Sequence, residues 1–413
     1  MSPQRLRIAY VVARYGRRFG GAEAYGVDLM QQLALHHDVT VVSSEYDEPG
    51  STLPQLCVPP PSSHWPSWIK VALFARRARR LTENRFDIVH SHVNGGGWDV
   101  DVVHVTPVRY NLFLRPRPVL KRMLTYLSPR LLTYLHLEAS RIAARPMHRV
   151  VAVSALTRDQ LQQAYGTDQD YPIIPPGVHP PTPVSTEQRA ELRATLGYGP
   201  ADCVLLMVAR DPWRKGLPTA LRALATLPPH IKLMVIGAES QCAVQMRADP
   251  SFQETLAPRV QLIAPSPVID HYYQAADICI HPTRNDSFGM APLEAMAHGL
   301  PVIVSPMPYC GFSHYLEHGR HALLLNRPND AAQLAHFIVQ LEQDPVLRQH
   351  LQDHAQIVVR QHDWAVLAER YQGLYDALLK ERSDGQARPP HRKSWLSRLR
   401  VPARSLPDSR LPH

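Results

Sequence analysis

The sequence is poor in the features that would announce several common protein classes. Five cysteines, Cys57, Cys203, Cys242, Cys279 and Cys310, are scattered over 413 residues and none forms a C-x-x-C pair, so neither a disulfide framework nor a zinc-ribbon site is indicated; reduced, buried thiols are the expectation. Nowhere do about 18 apolar residues follow one another, which excludes an ordinary membrane-spanning helix. The apolar run Ile8–Ala13 near the start is too short for a signal peptide, and the expectation is a cytoplasmic protein that meets a membrane only at its surface. There is no fixed-period repeat and no recognisable nucleic-acid module. The G-x-G-x-x-G fingerprint of a nicotinamide dinucleotide site is also missing.

Acidic residues are outnumbered. Lys and Arg total 45 against 36 Asp and Glu, a formal charge of +9, and this favours an anionic partner: nucleic acid, an anionic membrane surface or a phosphorylated ligand. Hydrophobic residues make up 45% of the chain, as in a globular protein long enough for two domains.

Short β-branched runs alternate with helical patterns. Strands are expected at Arg7–Val12, Val39–Ser43, Ile88–His92, Val100–Val105 and Val150–Val153, with a helix from Glu23 to Leu35 and another capped by Ser154. Tyr171–Pro183 then carries six prolines and one glycine, which reads as a domain edge. The rhythm restarts with strands at Val204–Val208, Ile231–Ile236, Val260–Ile263, Ile278–His281 and Val302–Ser305, followed by helices from Asp330 to Lys380. Strand–helix alternation of this kind implies α/β architecture with parallel sheets. The expected division is 1–175, 176–360, a helix over 361–381 packing back on the first domain, and a basic tail, 382–413, without a packed core.

Two loops carry the chemistry. Val208-Ala-Arg210-Asp-Pro-Trp-Arg-Lys215-Gly216 follows a strand and opens a helix, and it brings a forked guanidinium, a mobile ammonium and helix N–H groups to one place, as a diphosphate requires. In Asp286-Ser-Phe-Gly289-Met-Ala-Pro-Leu-Glu294, the loop again precedes a helix; Gly289 permits close backbone approach, and Glu294 can accept two hydroxyl hydrogen bonds, as a ribose offers.

Asp286, seven residues, Glu294 and then Gly299-Leu-Pro301-Val302 resemble the donor site of glycosyltransferase family 4, whose members have the GT-B fold: two Rossmann-like domains with a cleft between them and a C-terminal helix returning to the first. The basic loop Arg210…Lys215-Gly216, the inter-domain Pro175-Pro-Gly177-Val and the strand Val151-Ala-Val-Ser154 are similar as well, so the resemblance runs from Arg7 to Leu379. It implies a retaining glycosyltransferase with a nucleotide-sugar donor, a UDP-sugar by expectation. His104, Arg210, Lys215 and Asp286 fall at the reaction, and Gly20, Gly21, Arg210, Lys215, Ser287, Phe288, Gly289, Met290 and Glu294 fall around the donor. The first acidic position departs from the family's Glu, so the one-methylene-shorter Asp286 has less reach to the sugar.

The resemblance implies no metal cofactor, with phosphate charge met by Arg and Lys. Asp99-Val-Asp101 mimics a metal-binding Asp-x-Asp, and His90 and His92 share a strand face without an evident third ligand; both are read as structural. Gly311-Phe-Ser-His-Tyr315-Leu and Ile174–Pro180 are similar to lipopolysaccharide-core glucosyltransferases, which implies a glycolipid or saccharide acceptor. Between Pro107 and Val150 nine basic residues (Arg109, Arg115, Arg117, Lys121, Arg122, Arg130, Arg141, Arg145 and Arg149) stand against one acid, Glu138, among interleaved leucines and tyrosines. This segment, and the stretch 392–404 in the tail, fit an anionic membrane surface on the inner face of the cytoplasmic membrane. A GT-B epimerase or phosphorylase, and a basic nucleic-acid-binding protein, are the competing readings.

Overall fold

A computed structural model of the chain describes residues 5–115, 125–167, 169–249, 252 and 254–385. Its backbone is organised on two six-stranded sheets in which every strand pairing is parallel. In the first, the spatial order is Gln55–Cys57, Asp38–Ser43, Arg7–Val11, Ile88–Ser91, Val100–Val103, Arg149–Ala152. The second runs Val260–Ile263, Ile231–Ile236, Cys203–Val208, Ile278–His281, Val302–Val304, Leu323–Leu324.

The central strands read as near-continuous apolar runs because helices cover both faces; the side chains of Cys203–Met207 and Ile278–His281 are all buried. Both sheets have strand order 3-2-1-4-5-6 when counted within the sheet, so each reverses direction between its first and fourth strands. The carboxyl ends of strands at such a reversal form a ready-made crevice. In the first sheet the reversal lies between Arg7–Val11 and Ile88–Ser91, in the second between Cys203–Val208 and Ile278–His281.

The last helix, Trp364–Ser383, leaves the second sheet and joins the first. Its buried residues Trp364, Leu367, Tyr371, Tyr375 and Leu378 recur at helical spacing and share a core with Ile8, Tyr10, Leu29 and Val100. Where the chain makes this return it runs beside the outgoing segment: Val178 N donates to His362 O at 2.8 Å, and Gly177 lies so close to the Trp364 ring that a Cβ there would be 2.6 Å from it.

Boundaries shift in places for local reasons. The first helix begins at Gly21 rather than Glu23, and the fifth strand of the first sheet stops at Val103, leaving His104 on the loop. The final helix runs to Ser383 and not 381. Arg382, expected in the tail, holds it down by donating to Asp87 O at 2.9 Å and to Asp99 Oδ1 at 3.4 Å. The rest of the tail, with the expected membrane stretch 392–404, lies outside the described residues, as do Arg117, Lys121 and Arg122. Cys57 is exposed, against the expectation of burial; the other four cysteines are buried and free. Among the described residues no helix is long and apolar enough to cross a membrane.

Candidate functional site

The two loops singled out in the sequence leave the two strands at the reversal of the second sheet. The first connects Cys203–Val208 to the helix Leu217–Thr226; the second connects Ile278–His281 to the helix Met290–Ala297. Gly216 locks them together. It has φ +98°, and a Cβ on it would lie 2.0 Å from the Pro282 carbonyl oxygen, so any side chain would force the loops apart. Gly289 (φ +111°) caps the second helix under a similar restriction, its missing Cβ 2.8 Å from Cys310 Sγ, and leaves the helix N-terminus open to an anion.

Lys215 and Asp286 meet across these loops. The Lys215 ammonium is ion-paired with Asp286 Oδ2, and His281 Nε2 donates to the same oxygen at 2.9 Å. Burial by itself would push the Asp286 carboxyl up. The bond from His281 and the Lys215 charge outweigh it and hold the group well below the usual carboxylate range, so Asp286 is an anion. One turn into the helix, Glu294 accepts from Tyr273 Oη at 2.6 Å through Oε2, and no described residue donates to Oε1. Burial pushes the Glu294 carboxyl up while the Tyr273 bond opposes it. The arrangement leaves one carboxylate oxygen for a ligand hydroxyl where two were expected.

Arg210, on the first loop, reaches the other sheet. Its Nη1 donates to Phe19 O at 2.6 Å and its Nη2 to Arg18 O at 2.5 Å, immediately before Gly20 and Gly21 at the start of the first helix. Gly20 therefore lies beside the Arg210 guanidinium, 3.6 Å from a Cβ built on it. Two further bonds span the cleft: Ser154 Oγ donates to Ser287 O at 2.5 Å, and Arg115 Nη2 to Asn285 Oδ1 at 3.2 Å. The Ser287 backbone and the Asn285 side chain thus border the space between the two domains.

Phe288 does not fit its expected place at the donor. Its side chain is only 5% exposed and packs in the second domain's core, with ring centroids 5.3 Å from Phe312 and 5.9 Å from His362. An aromatic ring on a loop one residue before a helix gains more from that core than from a polar cleft. Only its backbone can serve a ligand.

On the first sheet, His104 follows the fifth strand and is half-buried. Its Nε2 lies 3.1 Å from His92 Nδ1, and its ring stands edge-on to Tyr25 at 4.9 Å, on the helix that starts at Gly21. Burial, with Arg141 adding to it, pushes the imidazole down to about 3, so it is neutral at physiological pH. His90 and His92 prove to be joined to each other, Nε2 to Nε2 at 3.0 Å. Asp99 and Asp101 are taken up by the protein: Asp99 Oδ2 accepts from Val89 N at 2.8 Å, and Asp101 Oδ2 lies 3.0 Å from His148 Nε2. Among the described residues no cluster of three His, Cys, Asp or Glu could hold a metal.

The basic segment is smaller at the surface than its sequence indicates. Arg141 is 4% exposed, beside Asp101 at 3.7 Å and bonded to Asn94 Oδ1 at 2.9 Å, and Arg145 donates to the Gly97 and Ser140 carbonyls. What does surface there is apolar as well as basic: Val105, Leu114, Tyr126 and Leu127 are exposed, Leu127 by 77%. His281 and Tyr273, which orient the two acids, went unnoticed in the sequence. His281 closes a strand and could have been found as the last residue before the loop; Tyr273 sits 21 residues from Glu294 with no local pattern to link them.

Comparison with known proteins agrees with this geometry. Residues 19–180 match the model for glycosyltransferase family 4, and residues 188–358 that for glycosyl transferases group 1, so the two models together cover the second sheet and all of the first but its strand Arg7–Val11. A D-inositol 3-phosphate glycosyltransferase of Xylanimonas cellulosilytica is 28% identical over 56% of this chain and 58% of its own length. The lipopolysaccharide glucosyltransferase WaaG of Escherichia coli is 28% identical over 49% of this chain and 55% of its own. The chain thus spans a little over half the length of these curated relatives. Among solved structures, WaaG superposes with a TM-score of 0.75 at 21% identity, covering 90% of this chain and 99% of that one. HepE of Anabaena, solved with UDP and glucose, does so with a TM-score of 0.69 at 18% identity, covering 90% and 100%. The chain joins a glycosyltransferase family 4 domain to a glycosyl transferases group 1 domain and has the GT-B fold.

Proposed function

We propose that this protein is a retaining glycosyltransferase that moves a sugar from a UDP-sugar to a hydroxyl of a lipid-linked saccharide, such as lipopolysaccharide core or another cell-envelope glycan. One observation carries the reading: Arg210, Lys215 and Glu294 sit around the strand reversal of the second sheet, and Arg210 reaches from there to the segment just before the Gly20–Gly21 turn of the first domain. Two cations beside a helix N-terminus suit a diphosphate, and a carboxylate with one open oxygen suits a ribose hydroxyl. Relatives named for transfer to inositol phosphate and to lipopolysaccharide, and a fold neighbour solved with UDP-glucose, support this choice of donor and acceptor class.

In this reaction the acceptor oxygen bonds to the anomeric carbon as the carbon–phosphate oxygen bond breaks, and the acceptor proton passes to the departing diphosphate on the same face of the sugar. The chain's task is electrostatic. Arg210 and Lys215 exchange their present partners, the Arg18 and Phe19 carbonyls and Asp286, for the diphosphate, and helix N–H groups after Gly289 join them. His281 keeps Asp286 charged and fixed when Lys215 turns away, which leaves the acid beside the sugar. No metal is required by this arrangement. Closing the cleft excludes water and limits hydrolysis.

The acceptor side fits a membrane surface. Val105, Leu114, Tyr126 and Leu127 are exposed in the stretch of the first domain that also carries the exposed Arg130, apolar and basic surface suited to anionic lipid at the inner face of the cytoplasmic membrane. Screening sugar nucleotides by thermal shift, then following hydrolysis of the best one, tests the reading. A stabilising UDP-sugar that is slowly hydrolysed is expected; indifference to every sugar nucleotide would overturn it.

A further inference from the structure

Behind His104 lies a continuous chain of hydrogen-bonding side chains that ends in the last helix. Tyr375 Oη is 2.6 Å from His90 Nδ1, His90 Nε2 is 3.0 Å from His92 Nε2, and His92 Nδ1 is 2.9 Å from Tyr10 Oη and 3.1 Å from His104 Nε2. Tyr375, His90 and Tyr10 have no exposed surface, so their polar atoms depend on one another. The rings are neutral, since burial pushes His90 and His104 down to about 3 and His92 well below its ordinary value. Each imidazole therefore carries one N–H and one lone pair, and the protons along the chain must all point the same way.

Two orders are possible. In the first, Tyr375 O–H donates to His90 Nδ1, His90 Nε2–H to His92 Nε2, and His92 Nδ1–H is shared between Tyr10 Oη and His104 Nε2. In the second every arrow reverses. Each order leaves one phenol hydrogen over, that of Tyr10 in the first and of Tyr375 in the second. The second also crowds two donors, Tyr10 O–H and His104 Nε2–H, onto the single lone pair of His92 Nδ1, whereas one N–H shared between two acceptors is a common arrangement. The first order is favoured, and it obliges His104 to accept at Nε2.

We propose that Tyr375, His90 and His92 form a positioning relay that keeps the proton of His104 on Nδ1, so that His104 presents an N–H, and not a lone pair, to the sugar cleft. No described residue takes that N–H, and His104 lies by the Gly20–Gly21 turn through its contact with Tyr25. The ligand it suits is a hydroxyl or other oxygen acceptor on the sugar. That His104 faces a sugar rests on the proposed transfer reaction; the location of its proton does not. Because Tyr375 belongs to the helix that returns from the second sheet, the relay also ties the state of His104 to the docking of that helix.

The test is the histidine tautomer itself. Full-length protein labelled with 15N-histidine is measured by two-bond 1H–15N spectroscopy, with His104→Gln assigning the signal. The relay predicts His104 protonated at Nδ1 in the wild type. In His90→Phe, His92 is released into the reverse order, so the His104 proton moves to Nε2 and turnover falls at least tenfold with the donor KM within twofold; Tyr375→Phe moves both readouts the same way by less. A wild-type His104 protonated at Nε2 overturns the proposal, and so do variants that leave the tautomer unchanged. If the variants fail to fold, the wild-type spectrum alone decides. A wild type that transfers sugar with His104 protonated at Nε2 removes the relay and leaves the transferase reading; a wild type inert to every sugar nucleotide removes the latter and leaves the spectrum's answer standing.

Discussion

Arg210 Nη1 donates to the carbonyl oxygen of Phe19 at 2.6 Å, joining the loop after the strand Cys203–Val208 of the second sheet to the segment before the first helix of the first domain. A guanidinium held by neutral carbonyls is poised for exchange, because a diphosphate is the stronger acceptor. Arg210→Ala should therefore lower turnover by two or more orders of magnitude, about 3–4 kcal/mol of barrier, and weaken donor binding. The side chain is exposed, so the melting temperature should stay within a degree or two. Arg210→Lys should recover only part of the loss, since an ammonium lacks the fork. Steady-state kinetics beside thermal melts check both statements.

The Lys215–Asp286–His281 group gives a pH prediction. The folded-state carboxyl of Asp286 is depressed, with burial opposed by His281 and Lys215. Its contribution to stability is complete above the unfolded value, about 3.9, and is lost as pH falls toward the folded one. Lys215→Met removes the cation and should raise the folded pKa, so acid unfolding begins at a higher pH than in the wild type. Fluorescence-monitored unfolding between pH 6 and 2 decides; an unshifted acid transition would mean that Lys215 does not hold Asp286 charged.

His90 makes a second, separable contribution. Its folded value is about 3 against about 6.5 unfolded, so only the unfolded chain takes up the proton between those pH values. Stability is full above about 6.5 and falls by about 1.4 kcal/mol per pH unit for this ring on the way down. In His90→Phe the slope of stability against pH between 6 and 4 should flatten by one proton, as read from urea unfolding at several pH values.

Much of this was legible because it is local. The Arg210–Lys215 loop, the Gly289 cap and the Ser154 cap lie within a few residues of the elements they serve, and Ser154 Oγ indeed accepts from Thr157 N at 3.1 Å. Strand order 3-2-1-4-5-6 was not legible, but strand–helix alternation makes a parallel sheet the economical outcome. What escaped depends on distant partners. Phe288 reads as a cleft residue until Phe312 and His362 are seen beside it, and Arg141 reads as surface charge until Asp101 is. His90 was read as structural from its strand alone, and its partner Tyr375, 285 residues away, was not legible.

Backbone geometry supplies a stability prediction. A Cβ on Gly216 would meet the Pro282 carbonyl oxygen at 2.0 Å with φ at +98°. Gly216→Ala should destabilise by at least about 1–3 kcal/mol, the usual range for a strained backbone position, and should reduce donor binding because the two loops separate. Urea denaturation with donor titration measures both.

The membrane surface is testable by charge. Leu127→Asp combined with Leu114→Asp places two acids in the exposed patch of the first domain. Co-sedimentation with vesicles containing anionic lipid should fall at least several-fold while hydrolysis of a soluble donor is unchanged. Equal sedimentation of wild type and variant would remove the patch from the account.

Calorimetric titration of UDP-sugars into the wild type, Arg210→Ala and Glu294→Gln bears most directly on the donor site. One saturable site is expected for at least one UDP-sugar, with affinity lowered tenfold or more in each variant. No binding by the wild type, or binding that neither substitution weakens, would contradict the assignment of the donor to the reversal of the second sheet.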